Sequence, residues 1–63
     1  MLITLKAARV NKELTQAEAA DLIGVSVETI QNWESAKSFP NVVQLKKIEQ
    51  AYGVSYNNIK FLP

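Results

Sequence analysis

Residues 14–34 read LTQAEAADLIGVSVETIQNWE, and this stretch decides the fold. Thr15 followed by Glu18 is a capping-box pattern: the threonine oxygen accepts an orphan backbone N–H while the glutamate reaches back to the threonine's own N–H. A helix therefore starts at Thr15. It runs through the good helix formers Gln16, Ala17, Glu18, Ala19 and Ala20 and stops at Gly24, which tolerates the left-handed backbone that ends a helix. Ser26 supplies a second N-cap. Between Gly24 and Ser26 there is room only for a sharp turn, so the two helices cross steeply and cannot run antiparallel.

At about 100° per residue, Ile30 and Trp33 share one side of the second helix. Glu28, Gln31 and Asn32 cluster on the other, with Val27 at the leading edge. One side packs and the other is free to read. Such side chains can match the donor and acceptor patterns of base edges, and a helix fits the major groove of DNA. Every surface helix has a polar side, so the face alone does not separate a reader from an ordinary solvated surface. The tight turn, the paired caps and the small Ala19 and Ala20, which permit close helix approach, favour the reader. Trp33 could stack on a base, but its spacing from Ile30 assigns it to the core.

Outward from this stretch, a first helix is expected from Ile3 or Thr4 to Asn11 or Lys12, with Leu5 and Ala8 facing inward. Residues 35–39 form a loop. Pro40 and Asn41 open a fourth helix, with Gln44 placed to complete a second capping box. Val42, Leu45, Ile48 and Tyr52 give that helix an apolar stripe, Gly53 ends it, and Lys46 and Lys47 fall on a solvated face. Ser55 would cap a final short helix carrying Ile59. Arg9 lies one turn after Leu5, beside the buried stripe, and Glu34 ends the helix after Ser26. Their positions predict a partly buried ion pair clamping the first helix to the third, against the alternative of two unrelated surface charges.

With 63 residues there is space for one domain, 1–63, whose two crossing helices occupy about 15–34. A chain this short buries only about 60% of the surface its unfolded form exposes. An all-α, compact bundle of about five short helices with low contact order is the expected solution. The absence of cysteine and histidine excludes a disulfide scaffold and argues against a structural metal. It also leaves only scattered carboxylates as catalysts, so an enzyme is not expected and no cofactor is implied. No apolar run is long enough for a membrane span and no signal pattern opens the chain, which reads as a cytoplasmic protein. The net charge of +1 is a weak footprint for a nucleic-acid partner. Folding can still cluster the seven cations, and phosphates also accept from neutral side chains and helix N-termini.

The segments TQAEAADLIGVS and VETIQNWE, followed by Pro40, closely resemble the Cro/repressor-type (XRE-like) helix-turn-helix family of phage and bacterial transcriptional regulators. The resemblance covers residues 5 to about 59. Arg9, Leu14, Gln16, Ala20, Gly24, Val25, Ser26, Ile30, Trp33, Glu34 and Pro40 stand at the family's spacing. Ala19 stands where the family usually has a larger apolar residue, and Ala36 where it usually has glycine. The resemblance implies a lambda-repressor-like DNA-binding domain with its recognition helix at about 27–34, and the same Arg9–Glu34 pair. It implies base reading by Val27, Glu28 and Asn32. Gln31 points nearby by helix geometry, although the family uses it less. Valine could contact a thymine methyl, glutamate could accept from a cytosine amino group, and asparagine could pair with adenine. By the same resemblance Gln16 touches the DNA backbone and supports the recognition helix, and Lys37 and Ser38 contact phosphates. Thr15, Ser26, Thr29 and Asn41 complete the candidate backbone or supporting residues.

These readings converge on sequence-specific binding of a double-stranded DNA operator by a transcriptional regulator of repressor type. One recognition helix covers only a half-site, so the expected form on DNA is a homodimer. Tyr56, Ile59, Phe61 and Leu62 are the candidate dimer contacts, against the alternative that Ile59 closes the core and the last residues fray. Two other functions fit the same fold: a protein-interaction or antitoxin-like module, and the DNA-binding part of a longer regulator.

Overall fold

A computed structural model describes residues 2–63. Four helices form the body: α1 (Leu5–Asn11), α2 (Gln16–Ile23), α3 (Val27–Glu34) and α4 (Val42–Tyr52). Two short strands, β1 (Ile3–Thr4) and β2 (Ile59–Lys60), pair in parallel with Ile3 opposite Ile59 and Thr4 opposite Lys60. A 3-10 turn at Tyr56–Asn58 leads into β2.

The strand pair corrects the all-α expectation of five helices. Thr4 Oγ1 accepts the Ala7 N–H at 3.0 Å, which makes Thr4 the N-cap of α1 and leaves Ile3 and Thr4 extended before it. Ser55 caps as expected, accepting from the Asn57 N–H at 3.3 Å. The helix it starts ends after three residues, and Ile59 lies in β2. Both strands begin with isoleucine, a β-branched residue that suits extended backbone. The pairing joins the two ends of the chain, so no local pattern announces it.

Local caps set the other boundaries. Thr15 and Glu18 exchange reciprocal bonds at 3.1 and 2.9 Å, and Asn41 and Gln44 do the same at 2.8 and 2.9 Å. Gly24 ends α2 at φ +85°, and both its own N–H and that of Val25 return to the Ala20 carbonyl at 2.8 and 3.0 Å. This closes α2 within one residue of Ser26, the N-cap of α3. Leu5, Ala8, Ala19, Ala20, Ile23, Ile30, Trp33, Ile48, Tyr52 and Ile59 form one core. The wholly buried Ala19 and Ala20 lie on α2, where small side chains let it approach both α3 and α4.

The stripe expected on α4 is shorter than its sequence spacing suggests. Ile48 and Tyr52 are buried and Leu45 is half-buried, but Val42 is 69% exposed. Val42 is the first residue of its helix and stays outside the core. No helix among the described residues is long and apolar enough to cross a membrane.

Candidate nucleic-acid interface

The exposed side of α3 is built by its own amphipathic order. Ile30 and Trp33, 1% and 5% exposed, anchor one side in the core. The opposite side carries exposed Val27, Glu28 and Gln31, flanked by half-buried Thr29 and Asn32. Ser26 Oγ accepts the Thr29 N–H at 3.1 Å and hydrogen-bonds the Thr29 hydroxyl at 3.0 Å. Ser26 and Thr29 therefore hold the leading turn of α3. The exposed Thr15 caps α2, directly before Gln16.

Arg9 and Glu34 lock this surface to the core. Arg9 Nε donates to Glu34 Oε2 at 2.6 Å and Nη2 to Oε1 at 3.2 Å, a fork-to-carboxylate contact between side chains that are each 9% exposed. Arg9 Nη1 also donates to the Leu14 carbonyl at 2.8 Å, which ties down the connection between α1 and α2. The hydrogen bond to Glu34 raises the already high pKa of Arg9 against the opposing effect of burial, so this buried cation stays charged. The pair therefore joins α1, the α1–α2 connection and the last residue of α3.

The network does not stop at the ion pair. Gln16 Nε2 donates to Glu34 Oε1 at 3.2 Å, and Gln31 Nε2 donates to Gln16 Oε1 at 3.3 Å. The contacts run from a buried guanidinium to an amide on the exposed side of α3. Gln16, Gln31, Glu34 and Ser35 line an open cleft of about 410 Å³ together with Thr4, Lys6 and Pro63. The Gln16–Gln31 contact is not legible from spacing, because it depends on the crossing angle of two helices.

Beyond α3 the chain turns back at once. The Ala36 N–H returns to the Trp33 carbonyl at 3.3 Å and the Lys37 N–H to the Asn32 carbonyl at 2.9 Å, a Schellman closure with Ala36 at φ +62°. This places the exposed Lys37 and Ser38 beside the C-terminal end of α3. Asn41 lies further along as the cap of α4.

The four candidate dimer contacts divide. Ile59 is 5% exposed and belongs to the core, which corrects its assignment to an outer contact: its β2 position opposite Ile3 turns it inward. Tyr56 and Leu62 are 51% and 60% exposed, and Phe61 is half-buried. Phe61, Phe39, Pro40 and Leu45 line an apolar groove of about 250 Å³. A second groove of about 300 Å³ continues it through Val42, Leu45, Lys46, Glu49 and Tyr56. Phe39 and Val42 were not recognised in the sequence as part of this surface. The available signal was a large aromatic residue in a loop immediately before proline.

Two short capped helices meeting at a sharp turn, the second buried on one side and polar on the other, define a helix-turn-helix domain. Comparison with known proteins agrees: the helix-turn-helix family profile matches residues 5–58. The chain belongs to that family, in its Cro/repressor (XRE) type. It is 40% identical over 53 residues to multiprotein-bridging factor 1a of Arabidopsis thaliana, a match covering 84% of this chain and 37% of that protein. It is 42% identical over 53 residues to multiprotein-bridging factor 1b of the same plant, with the same coverage. The HTH-type transcriptional activator BcrR of Enterococcus faecalis is 36% identical over 55 residues, covering 87% of this chain and 27% of that protein. The chain thus spans only about a third of the curated relatives it matches. No solved structure matches it significantly.

Proposed function

We propose that the chain is the sequence-reading domain of a transcriptional regulator, which inserts α3 into the major groove of a double-stranded DNA operator. The observation that carries this reading is the anchored recognition helix. A free polar face of bases-sized side chains is held at a fixed angle by a buried ion pair and a capped turn, the preorganisation that direct readout requires. Val27, Glu28, Gln31 and Asn32 read base edges. Thr15, Gln16, Ser26, Thr29, Lys37, Ser38 and Asn41 contact or support the DNA backbone, and these residues carry no sequence information themselves.

Two copies bind a two-fold-related site. One recognition helix covers only a half-site, and the apolar grooves around Leu45 offer exposed area to a second copy. The sign of regulation follows from where the operator lies and not from this domain. Selection of bound duplexes from a randomised pool, with salt titration of the winners, tests the reading. A two-fold-related motif and an affinity that falls steeply with salt are expected. Failure to enrich any motif at low salt overturns DNA reading. Sedimentation showing one chain per symmetric duplex overturns the homodimer.

The relatives named as multiprotein-bridging factors favour a second reading, in which the exposed Phe39, Val42, Tyr56 and Leu62 receive a different protein. A complex that contains DNA and one copy of the chain supports it over the homodimer.

A further inference from the structure

The hydrogen-bond chain from the core to α3 has a direction, and that direction selects a base. Glu34, paired with the Arg9 guanidinium, can only accept. The amide of Gln16 must therefore present its NH2 to Glu34 Oε1, at 3.2 Å, which turns its carbonyl outward. That carbonyl accepts from Gln31 Nε2 at 3.3 Å. Each amide in turn is set by the one before it, so Gln31 is left with a free carbonyl and one remaining N–H on the exposed face of α3. An isolated glutamine would flip freely between its two orientations.

We infer that the Glu34–Gln16–Gln31 chain sets the amide polarity of Gln31 so that it reads a base carrying an exocyclic amino group in the major groove, adenine above all. The free carbonyl meets the N6 amino donor and the remaining N–H meets N7. Guanine and thymine present carbonyl acceptors at the corresponding positions and are disfavoured by the fixed carbonyl. A phosphate could accept the remaining N–H but would leave the carbonyl unpaired, whereas adenine satisfies both groups at once. Gln16 and Glu34 act here as positioning residues. This inference rests on the DNA-reading function proposed above and adds the identity of one base and the source of its selection.

The test compares the parent chain with Gln16→Met and Gln31→Ala, each checked by thermal melting and then presented with a pool of randomised duplexes. Methionine keeps the volume of Gln16 and removes both its donor and its acceptor. The parent is expected to enrich adenine at one position per half-site. Gln31→Ala, an exposed substitution, should lower the adenine-to-guanine preference there about tenfold. Gln16→Met should lower it by most of that factor with its melting temperature close to the parent's, because Gln31 is then free to flip. The double variant should lose no more than Gln31→Ala alone.

A Gln16→Met variant that binds every duplex more weakly by the same factor, with its preferences unchanged, overturns the relay and leaves Gln16 as a backbone contact. An unchanged profile in Gln31→Ala overturns the base assignment. A motif that survives both substitutions defeats this inference alone, whereas a parent chain that enriches nothing defeats the DNA-reading function as well.

Discussion

Ala36 and Glu13 adopt left-handed backbone at φ +62° and +58°, where a β-carbon crowds the following carbonyl. Both end a helix by the same Schellman closure, and Ala36 occupies the position where glycine is common. Ala36→Gly should therefore stabilise the fold by roughly 1 kcal/mol, because relief of the crowding outweighs the added freedom of the unfolded chain. A rise in the urea midpoint with an unchanged slope is the expected result. Arg9 belongs to the opposite case. Its side chain meets Glu34 and the Leu14 carbonyl in a nearly solvent-free setting, so truncation leaves a carboxylate and a carbonyl without their partner. Arg9→Ala should cost about 3 kcal/mol or more, whereas replacing Arg9 and Glu34 together by apolar residues of similar volume should be much milder. Urea unfolding of both variants measures the difference.

At the scale of the element, α3 combines a structural task and the proposed reading task in eight residues. Glu28 belongs to its first turn, where a negative charge complements the helix N-terminus by roughly 0.3–1 kcal/mol. The same carboxylate is exposed on the proposed reading face, where it can accept from a cytosine amino group and repels phosphates. Glu28→Gln should leave the melting temperature nearly unchanged, raise non-specific affinity and relax preference at one base pair per half-site. Thermal melting beside binding to single-base operator variants separates the two roles. A clear loss of stability with unaltered preferences would return Glu28 to a helix-end role. Much of α3 was legible in the sequence because its signals are local: a serine cap, apolar residues three apart, and a polar remainder. The amide orientation of Gln31 was not, since it comes from Gln16 on a neighbouring helix.

For the whole molecule, Tyr52 shows how the packed core sets the response to alkali. Burial pushes its hydroxyl up to about 12, the Glu34 charge adds to the effect and Arg9 opposes it. In the unfolded chain the phenol ionises near pH 10. The raised value means that its contribution to stability is complete below about pH 10 and is lost as pH climbs towards 12, because the unfolded state releases its proton first. The parent's melting temperature should accordingly fall more steeply above about pH 10 than that of Tyr52→Phe, which keeps the ring in the core and has no proton to lose. Equal slopes for the two proteins would show that lysine titration alone governs the alkaline limb. The apolar surface around Leu45 is a second property of the assembled molecule, since Phe39, Val42, Tyr56 and Phe61 come from four separate segments.

Local sequence signals were enough for the four helices, the caps at Thr15, Ser26 and Asn41, the glycine stops at Gly24 and Gly53, and the sharp turn between Gly24 and Ser26. Each rests on residues within about one turn of one another, where hydrogen-bond geometry and helical period leave few alternatives. Residues 5–58 also suffice to assign the family. The β1–β2 pairing, the exposure of Val42, the inward position of Ile59 and the extension of the Arg9–Glu34 pair through Gln16 to Gln31 emerge only from tertiary packing. The last joins residues on three helices, and which side chains meet there depends on packing angles that no single segment encodes.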